Sequence, residues 1–361
     1  MGSNPRSHQQ ELDHIVGLAE PKLILTTEDA LSTVQEVARV RGIAPSQIFV
    51  VDERAVDHCA QLFLRYEMAY PGGAKLSSTS ARGTDGCVQN FADLLCFGES
   101  DWVVFNDTVA AQNTPAAMFS TSGTGGLPKA AVLSHHAIIA HHRSIYYDVP
   151  YPVSRLMSLP MFHLFGALWT HIFPVRYGHP LFVLPRFEPK QFLATVHRYQ
   201  ISETYLVPAI VTALIRSPLP VTEYLTSLRY VGIAGAPIDG PSIVQFRSRL
   251  HPMAYACQLW GMTEVGVAFQ TRYGQHGDPG SIGTCLRGYE IRLVDQDGQV
   301  IRSDERPGEL YLRGPGVLMA YKGRTDAKEA HGWYRTGDLA YMKEGHYFIV
   351  GRTKELIKVR G

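Results

Sequence analysis

Short, continuous apolar runs alternate with helix-like stretches through the first 275 residues of the chain. The runs are KLILTT (22–27), IFVVD (48–52), LFVLP (181–185), TYLVP (204–208) and LRYVGIAG (228–235). Pro189 lies near the start of the helix-like stretch after the third run, a position that proline favours. Strands that are apolar on both faces and separated by helices are typical of buried, mostly parallel sheets. The pattern predicts an α/β fold.

The pattern changes after about residue 275. YEIRLVDQDGQVI (289–301) has an Asp-Gly turn between two alternating runs, which predicts a hairpin. GELYLRG (308–314) and DLAYMKEGHYFIVG (338–351) continue the strand–turn–strand order. We therefore expect three parts: layered α/β/α subdomains with mostly parallel sheets over 1–275, a smaller β-rich subdomain over 276–350, and a hinge stub over 351–361.

Charge and cysteine spacing exclude several classes of partner. The 361 residues carry 34 basic and 33 acidic side chains without a long basic stripe, so we expect no nucleic-acid partner and no anionic membrane surface. No apolar run is long enough to span a membrane, and the first ten residues have no apolar signal-peptide region. Five cysteines without CxxC spacing argue against a disulfide framework or a zinc site. We expect a soluble, cytoplasmic protein.

The stretch FSTSGTGGLPKAAVLSHHA (119–137) is rich in glycine and hydroxyl side chains and contains one lysine. A Walker-type loop requires glycine before the lysine and Ser or Thr after it, whereas Pro128 and Ala130 flank Lys129 here. The glycines still allow several backbone N–H groups to point into one concavity, and Lys129 adds a positive charge. A flexible surface loop is the alternative, but Ser134 is placed to cap a helix directly afterwards. The stretch predicts phosphate binding by a loop of another type.

TSGTGGLPKAAVLSH (121–135) resembles the phosphate loop of the adenylate-forming (AMP-binding) superfamily, which includes acyl-CoA synthetases, 4-coumarate–CoA ligases, firefly-type luciferases and peptide-synthetase adenylation domains. Four further stretches resemble motifs of that family in the same order: LPMFHLFG (159–166), GIAGAPID (232–239), QLWGMTEVG (258–266) and GWYRTGDLAY (332–341). GRTKELIKVRG (351–361) resembles the hinge before the family's mobile lid. The resemblance is closest in look to 4-coumarate–CoA ligase-like acyl-CoA synthetases. Each of the stretches after the phosphate loop, taken alone, reads as an ordinary loop, turn or core segment, so their weight comes from their order.

The resemblance implies which residues bind the nucleotide. Within the phosphate loop at 120–129 it assigns the ATP phosphates to Thr121, Ser122, Gly123, Thr124, Gly125, Gly126 and Lys129. It assigns further nucleotide contacts, with Thr263 on a phosphate oxygen, to Gly235, Ala236, Pro237, Trp260, Gly261, Met262, Thr263, Asp338, Arg352 and Lys358. Trp260 stands where the family usually has tyrosine and is expected to cover the adenine face. Asp338 is expected to accept hydrogen bonds from both ribose hydroxyls.

The resemblance also implies the chemistry. The expected catalytic residues are Lys129, His163, Thr263 and Glu264, with Glu264 as the magnesium ligand because hard cations prefer oxygen. The acyl substrate is expected to contact His163, Gly235 and Leu259, of which Leu259 replaces a glycine found in aryl-acid ligases. Taken alone, His163 reads as a core histidine at a strand-to-helix turn.

The implied reaction is ATP-dependent activation of a carboxylic acid to an acyl-adenylate with release of pyrophosphate, followed by thioester formation with coenzyme A. ATP, Mg²⁺, coenzyme A and a small carboxylic acid are therefore the expected ligands. Relative to the family, we expect this chain to lack an N-terminal segment and the C-terminal lid domain. Two alternatives stay open: a non-catalytic nucleotide-binding remnant, and an adenylation domain that loads a carrier protein.

Two histidine pairs, His135/His136 and His141/His142, lie in one predicted helix and suggest a metal site. No cysteine or carboxylate completes a ligand set near them in the sequence. We therefore expect no metal at these histidines.

Overall fold

The computed structural model of the chain describes residues 1–68, 87–95, 101–121, 127–145, 148–275, 277–324 and 326–353. The chain divides into two units. The first contains residues 3–106 and 122–130 together with Met1, and the second contains residues 107–121 and 131–361 together with Gly2.

The first unit has a small parallel sheet with helices. Its helices are α1 (Gln9–Ala19), α2 (Leu31–Arg41), α3 (Glu53–Met68) and α4 (Phe91–Leu95), and its strands are β1 (Ile24–Thr26), β2 (Ile48–Val50) and β3 (Gln89–Asn90). The strands pair in parallel in the order β1-β2-β3. Val34, Ala38 and Ile48 form its buried apolar cluster. The strands expected at 22–27 and 48–52 are confirmed as β1 and β2.

The second unit contains the remaining elements, except that β5 begins in the first unit. Its helices are α5 (Thr108–Asn113), α6 (His135–Ser144), α7 (Leu164–Ala167), α8 (Phe173–Tyr177), α9 (Pro189–Tyr199), α10 (Pro208–Ile215), α11 (Val221–Tyr224) and α12 (Gly240–Arg247). Its strands are β4 (Pro115–Thr121), β5 (Lys129–Ser134), β6 (Arg155–Met157), β7 (Leu181–Val183), β8 (Glu203–Leu206), β9 (Tyr230–Ile233), β10 (Tyr255–Met262), β11 (Gly266–Gln270), β12 (Thr284–Cys285), β13 (Glu290–Val294), β14 (Val300–Ile301), β15 (Gly308–Arg313), β16 (Ala320–Tyr321), β17 (Tyr334–Lys343) and β18 (His346–Arg352).

A seven-stranded sheet forms the centre of the second unit, in the order β12-β11-β10-β9-β8-β6-β7. Strands β10, β9, β8, β6 and β7 are parallel, whereas β11 and β12 join antiparallel at one edge. Every residue of β8 and β9 is buried, as expected for strands covered by helices on both faces. Helix α9 begins at Pro189, with the Glu188 carboxylate accepting from the next two backbone N–H groups. The α/β fold predicted from the apolar runs is confirmed.

One ion pair lies inside this sheet. Arg155 in β6 donates to Glu203 in β8 over 3.0 Å, and both side chains are almost completely buried. The Tyr151 hydroxyl donates to the same carboxylate over 3.1 Å. The Arg155 guanidinium also lies 5.4 Å from the ring of Trp169 and 5.7 Å from that of Tyr205. These hydrogen-bond and aromatic partners offset the desolvation of the two charges.

Two further sheets are antiparallel where their strand pairings are described. The larger has the order β14-β13-β15-β17-β18, and the smaller has the order β16-β5-β4. Strands β13 and β14 form the hairpin predicted at 289–301, with Gly298 of its Asp-Gly turn at φ +79°. The domain boundary at residue 275 stays a prediction. Among the described residues, no helix is long and apolar enough to cross a membrane.

Candidate active site

A pocket opens where strands β9 and β10 end, beside helix α7. Apolar side chains form most of its wall. Six residues predicted for the site line this pocket: His163, Gly235, Leu259, Gly261, Met262 and Thr263. Ligands of open parallel sheets bind at this edge, outside the carboxyl ends of the strands. The structure thus brings the expected acyl-contacting residues together with part of the expected nucleotide-binding motif.

Two glycines shape the pocket through their backbones. Gly235 follows β9 at φ +92°, a conformation that other residues rarely adopt. A Cβ atom on Gly261 would come within 2.1 Å of the Gly266 carbonyl oxygen across the β10–β11 hairpin. Side chains at either position would therefore strain or displace the turns that form the wall.

His163 is the N-cap residue of helix α7. Its Nδ1 accepts a hydrogen bond from the backbone N–H of Phe165 over 3.2 Å. The residue is exposed at the pocket, yet nearby protein atoms desolvate its ring enough to lower the pKa of His163. A neutral ring whose Nδ1 accepts must carry its proton on Nε2. His163 therefore offers a hydrogen-bond donor without a positive charge.

Thr263 and Glu264 follow strand β10 and are buried, with 6% and 5% of their surface exposed. The Tyr321 hydroxyl donates to Glu264 Oε1 over 2.7 Å, and it lies 3.0 Å from the hydroxyl of Tyr334. Burial and the nearby Glu264 charge raise the pKa of both tyrosines, so both stay protonated. The backbone N–H of Leu318 also donates to the Glu264 carbonyl over 2.7 Å. Tyr321 therefore constrains the carboxylate, and the Leu318 bond holds the backbone of Glu264.

Asp338 in β17 accepts hydrogen bonds from two predicted site residues. The Trp260 indole N–H donates to Oδ2 over 2.9 Å, and Arg352 Nε donates to Oδ1 over 3.0 Å. Asp338 has 6% and Trp260 8% of its surface exposed. The structure thus joins these three residues through one carboxylate.

The other predicted residues are placed as follows. Thr121 ends β4 and is buried, whereas Lys129 begins β5 and is exposed. Ala236 and Pro237 follow Gly235 and are exposed. Ser122, Gly123, Thr124, Gly125, Gly126 and Lys358 lie outside the described residues. Lys129 belongs to the first unit, so its part in the site stays a prediction.

Sequence reasoning does not single out Tyr321 or the hydroxyl of Tyr334. Tyr321 carries no motif signal, and Tyr334 lies in the 332–341 motif without a role assigned to its hydroxyl. Tyr321 links Glu264 to Tyr334, and this arrangement depends on three separate segments meeting in space. Among the described residues, no group of three His, Cys, Asp or Glu side chains is arranged to hold a metal ion.

Comparison with protein families decides the family of the chain. The model of the family described as "AMP-binding enzyme" matches residues 1–322. The chain belongs to the AMP-binding enzyme family. This membership confirms the adenylate-forming resemblance drawn from the motifs.

Curated relatives of this AMP-binding enzyme include two fungal ligases. A nicotinic acid-CoA ligase of Penicillium canescens is 55% identical over 362 residues, which cover 100% of this chain and 65% of that protein. A nicotinic acid-CoA ligase of Aspergillus fumigatus is 53% identical over 364 residues, covering 100% of this chain and 62% of that protein. A 4-coumarate–CoA ligase of Oryza sativa is 32% identical over 77% of this chain and 51% of its own length. The chain therefore spans a little under two thirds of the first two relatives.

Solved structures agree on the fold. The anthranilate CoA ligase AuaEII, in complex with anthranoyl-AMP, matches with a TM-score of 0.77 at 20% identity and covers 99% of this chain and 64% of its own. ATP-bound MatB from Rhodopseudomonas palustris matches with a TM-score of 0.76 at 22% identity, covering 98% and 64%. At this identity the matches establish only the fold of this AMP-binding enzyme.

Proposed function

We propose that the chain activates a carboxylic acid with ATP, forming an acyl-adenylate and releasing pyrophosphate, and that the acyl group then passes to the thiol of coenzyme A. The observation that carries this proposal is the pocket at the β9 and β10 ends. It joins an apolar wall to Thr263, which is followed by the buried carboxylate of Glu264. Membership of the AMP-binding enzyme family supports the same chemistry.

In the first step a substrate carboxylate oxygen attacks the α-phosphorus of ATP, and the bond to the pyrophosphate oxygen breaks. Negative charge grows on the phosphate oxygens in the transition state, so preorganised donors and cations there lower the barrier. We assign Thr263 and Lys129 to these oxygens, with Thr121 and residues 122–126 as further phosphate contacts. We assign Lys358, which lies outside the described residues, to the adenylate.

Glu264 fits the role of a magnesium ligand. Its carboxylate is a hard oxygen donor held by the Tyr321 hydroxyl. Mg²⁺ commonly binds one or two protein carboxylates and completes its shell with water and substrate phosphates, so a larger protein ligand cluster is not required. Mg²⁺ bound there would neutralise phosphate charge. Asp338, Arg352 and the turn at Gly235, Ala236 and Pro237 would hold the ribose and adenine, and Trp260, Gly261 and Met262 would border them.

We propose a small heteroaromatic acid as the substrate, with nicotinic acid as the first candidate. The apolar wall suits an aromatic ring, and Leu259 fills space in that wall. His163, neutral with its proton on Nε2, would donate a hydrogen bond toward the substrate carboxylate. Two relatives above 50% identity are nicotinic acid-CoA ligases, which supports this choice. A cytoplasmic location stays a prediction from the sequence.

The test is carboxylate-dependent exchange of labelled pyrophosphate into ATP. Nicotinic acid should support exchange, whereas nicotinamide, which has the same ring but no carboxylate, should not. Glu264→Gln should lower the rate by roughly 100-fold through lost electrostatic stabilisation. Glu290→Gln, a surface glutamate with 61% of its side chain exposed, should leave the rate unchanged. A folded chain that shows no exchange with nicotinic, benzoic or aliphatic acids would overturn the proposal.

A further inference from the structure

The edge of the Trp260 indole faces the carboxylate of Asp338. Its N–H donates to Asp338 Oδ2 over 2.9 Å in a buried contact. The ring itself is fixed, because Phe269 packs against it edge-on at 5.6 Å between centroids and 79° between planes. Arg352, which also donates to Asp338, has 45% of its side chain exposed. Trp260 is therefore the more rigid of these two donors.

The hydrogen bond depends on the residue type at position 260. Tyrosine, the usual family residue at this position, donates through a hydroxyl at the end of its single ring, whereas tryptophan donates through the indole N–H. A tyrosine donor would therefore lie at a different point relative to Asp338. A carboxylate has about four acceptor directions. The bonds from Trp260 to Oδ2 and from Arg352 to Oδ1 both constrain the plane of this carboxylate.

We propose that Trp260 is a positioning residue for ribose recognition. Its indole N–H orients the Asp338 carboxylate so that both oxygens can meet the 2′- and 3′-hydroxyls of the bound nucleotide. This inference rests on the proposed function, because it requires that the chain bind ATP. Preorganised carboxylates discriminate more strongly than mobile ones, since no ordering is needed on binding. Trp260 thus gives the site its preference for a ribonucleotide.

The test compares ATP with 2′-deoxy-ATP and 3′-deoxy-ATP by calorimetric titration. The parent should bind ATP about tenfold or more tightly than either deoxynucleotide, as expected for a hydrogen bond to a charged group. Trp260→Phe keeps an aromatic ring but removes the donor, and it should reduce this ratio several-fold by weakening ATP more than the deoxynucleotides. Trp333→Phe, a half-buried tryptophan stacked by Arg292, is the matched control and should keep the parent ratio.

Equal weakening of all three nucleotides by Trp260→Phe would overturn the inference, because a ring that only fills space cannot distinguish the sugars. A parent that binds no ATP would instead overturn the proposed function, and this role with it. The indole N–H can also be followed without nucleotide, by ¹⁵N NMR of the four tryptophans. The indole N–H signal that is missing from Trp260→Phe belongs to Trp260. In Asp338→Ala this N–H should exchange with solvent faster than in the parent. Unchanged exchange would contradict the hydrogen bond itself.

Discussion

The hydroxyl of Tyr321 controls where the Glu264 carboxylate points. Removing it in Tyr321→Phe leaves a buried carboxylate oxygen without this 2.7 Å donor, while the ring is kept. If Glu264 holds Mg²⁺, the half-saturating Mg²⁺ concentration in pyrophosphate exchange should rise by about 10- to 100-fold, the usual effect of losing a group that orients a metal ligand. Tyr341→Phe, whose ring stacks on Phe348, is the control. An unchanged Mg²⁺ dependence in Tyr321→Phe would show that the hydroxyl does not orient a metal ligand.

The candidate site was predictable from sequence only where a motif is contiguous. His163, Leu259 and Thr263 line one pocket, as the order of their motifs suggested. Contacts between residues of different segments are less visible in the sequence. Tyr321 meets Glu264 from 57 residues away, and Trp260 meets Asp338 from 78 residues away. Such contacts depend on how whole strands pair, which no local spacing encodes.

Helix α6 begins with a cap that the sequence indicates. The Ser134 Oγ is 3.0 Å from the backbone nitrogen of Ala137 and accepts its N–H, and Ser134 is buried. Ser134→Ala should lower the free energy of unfolding by about 1 kcal/mol, because an alanine N-cap satisfies none of the free N–H groups. Ser134→Gly should cost only a few tenths of a kcal/mol, since glycine is tolerated as a cap. Urea denaturation measures both variants, and equal losses would mean that the side chain acts through packing instead of capping.

Elements with a single strong pattern were predicted well. The apolar runs that became β8 and β9, and the Asp-Gly hairpin of β13 and β14, have signals within a few residues. Beyond the strand-to-helix turn read at His163, no element was predicted for residues 167–177, and there the end of α7, a π-helical turn (Leu168–Ile172) and α8 follow one another. The buried Arg155–Glu203 pair also departs from an apolar strand pattern, because aromatic and hydroxyl partners distant in sequence stabilise it.

His141 couples the stability of the second unit to pH. Its ring is fully buried, with Nε2 2.8 Å from the Gly316 carbonyl oxygen. Desolvation lowers the pKa of His141 from 6.5 to about 4, opposed by the Gly316 hydrogen bond. Between these two values the unfolded chain binds a proton that the folded chain does not, so the free energy of unfolding falls as the pH falls. The loss should total on the order of 3 kcal/mol from pH 6.5 to pH 4.

Urea denaturation across this pH range, followed by tryptophan emission, tests the coupling. The signal reports mainly the second unit, because Trp169, Trp260 and Trp333 lie there. His141→Gln keeps a donor for Gly316 but has no group that titrates, so its stability should fall with pH less steeply than that of the parent, by up to about 1.4 kcal/mol per pH unit. His136→Gln, which alters a half-buried histidine of the same helix, is the matched control. Parallel curves for the parent and His141→Gln would mean that carboxyl groups elsewhere carry the acid sensitivity, and that His141 contributes packing alone.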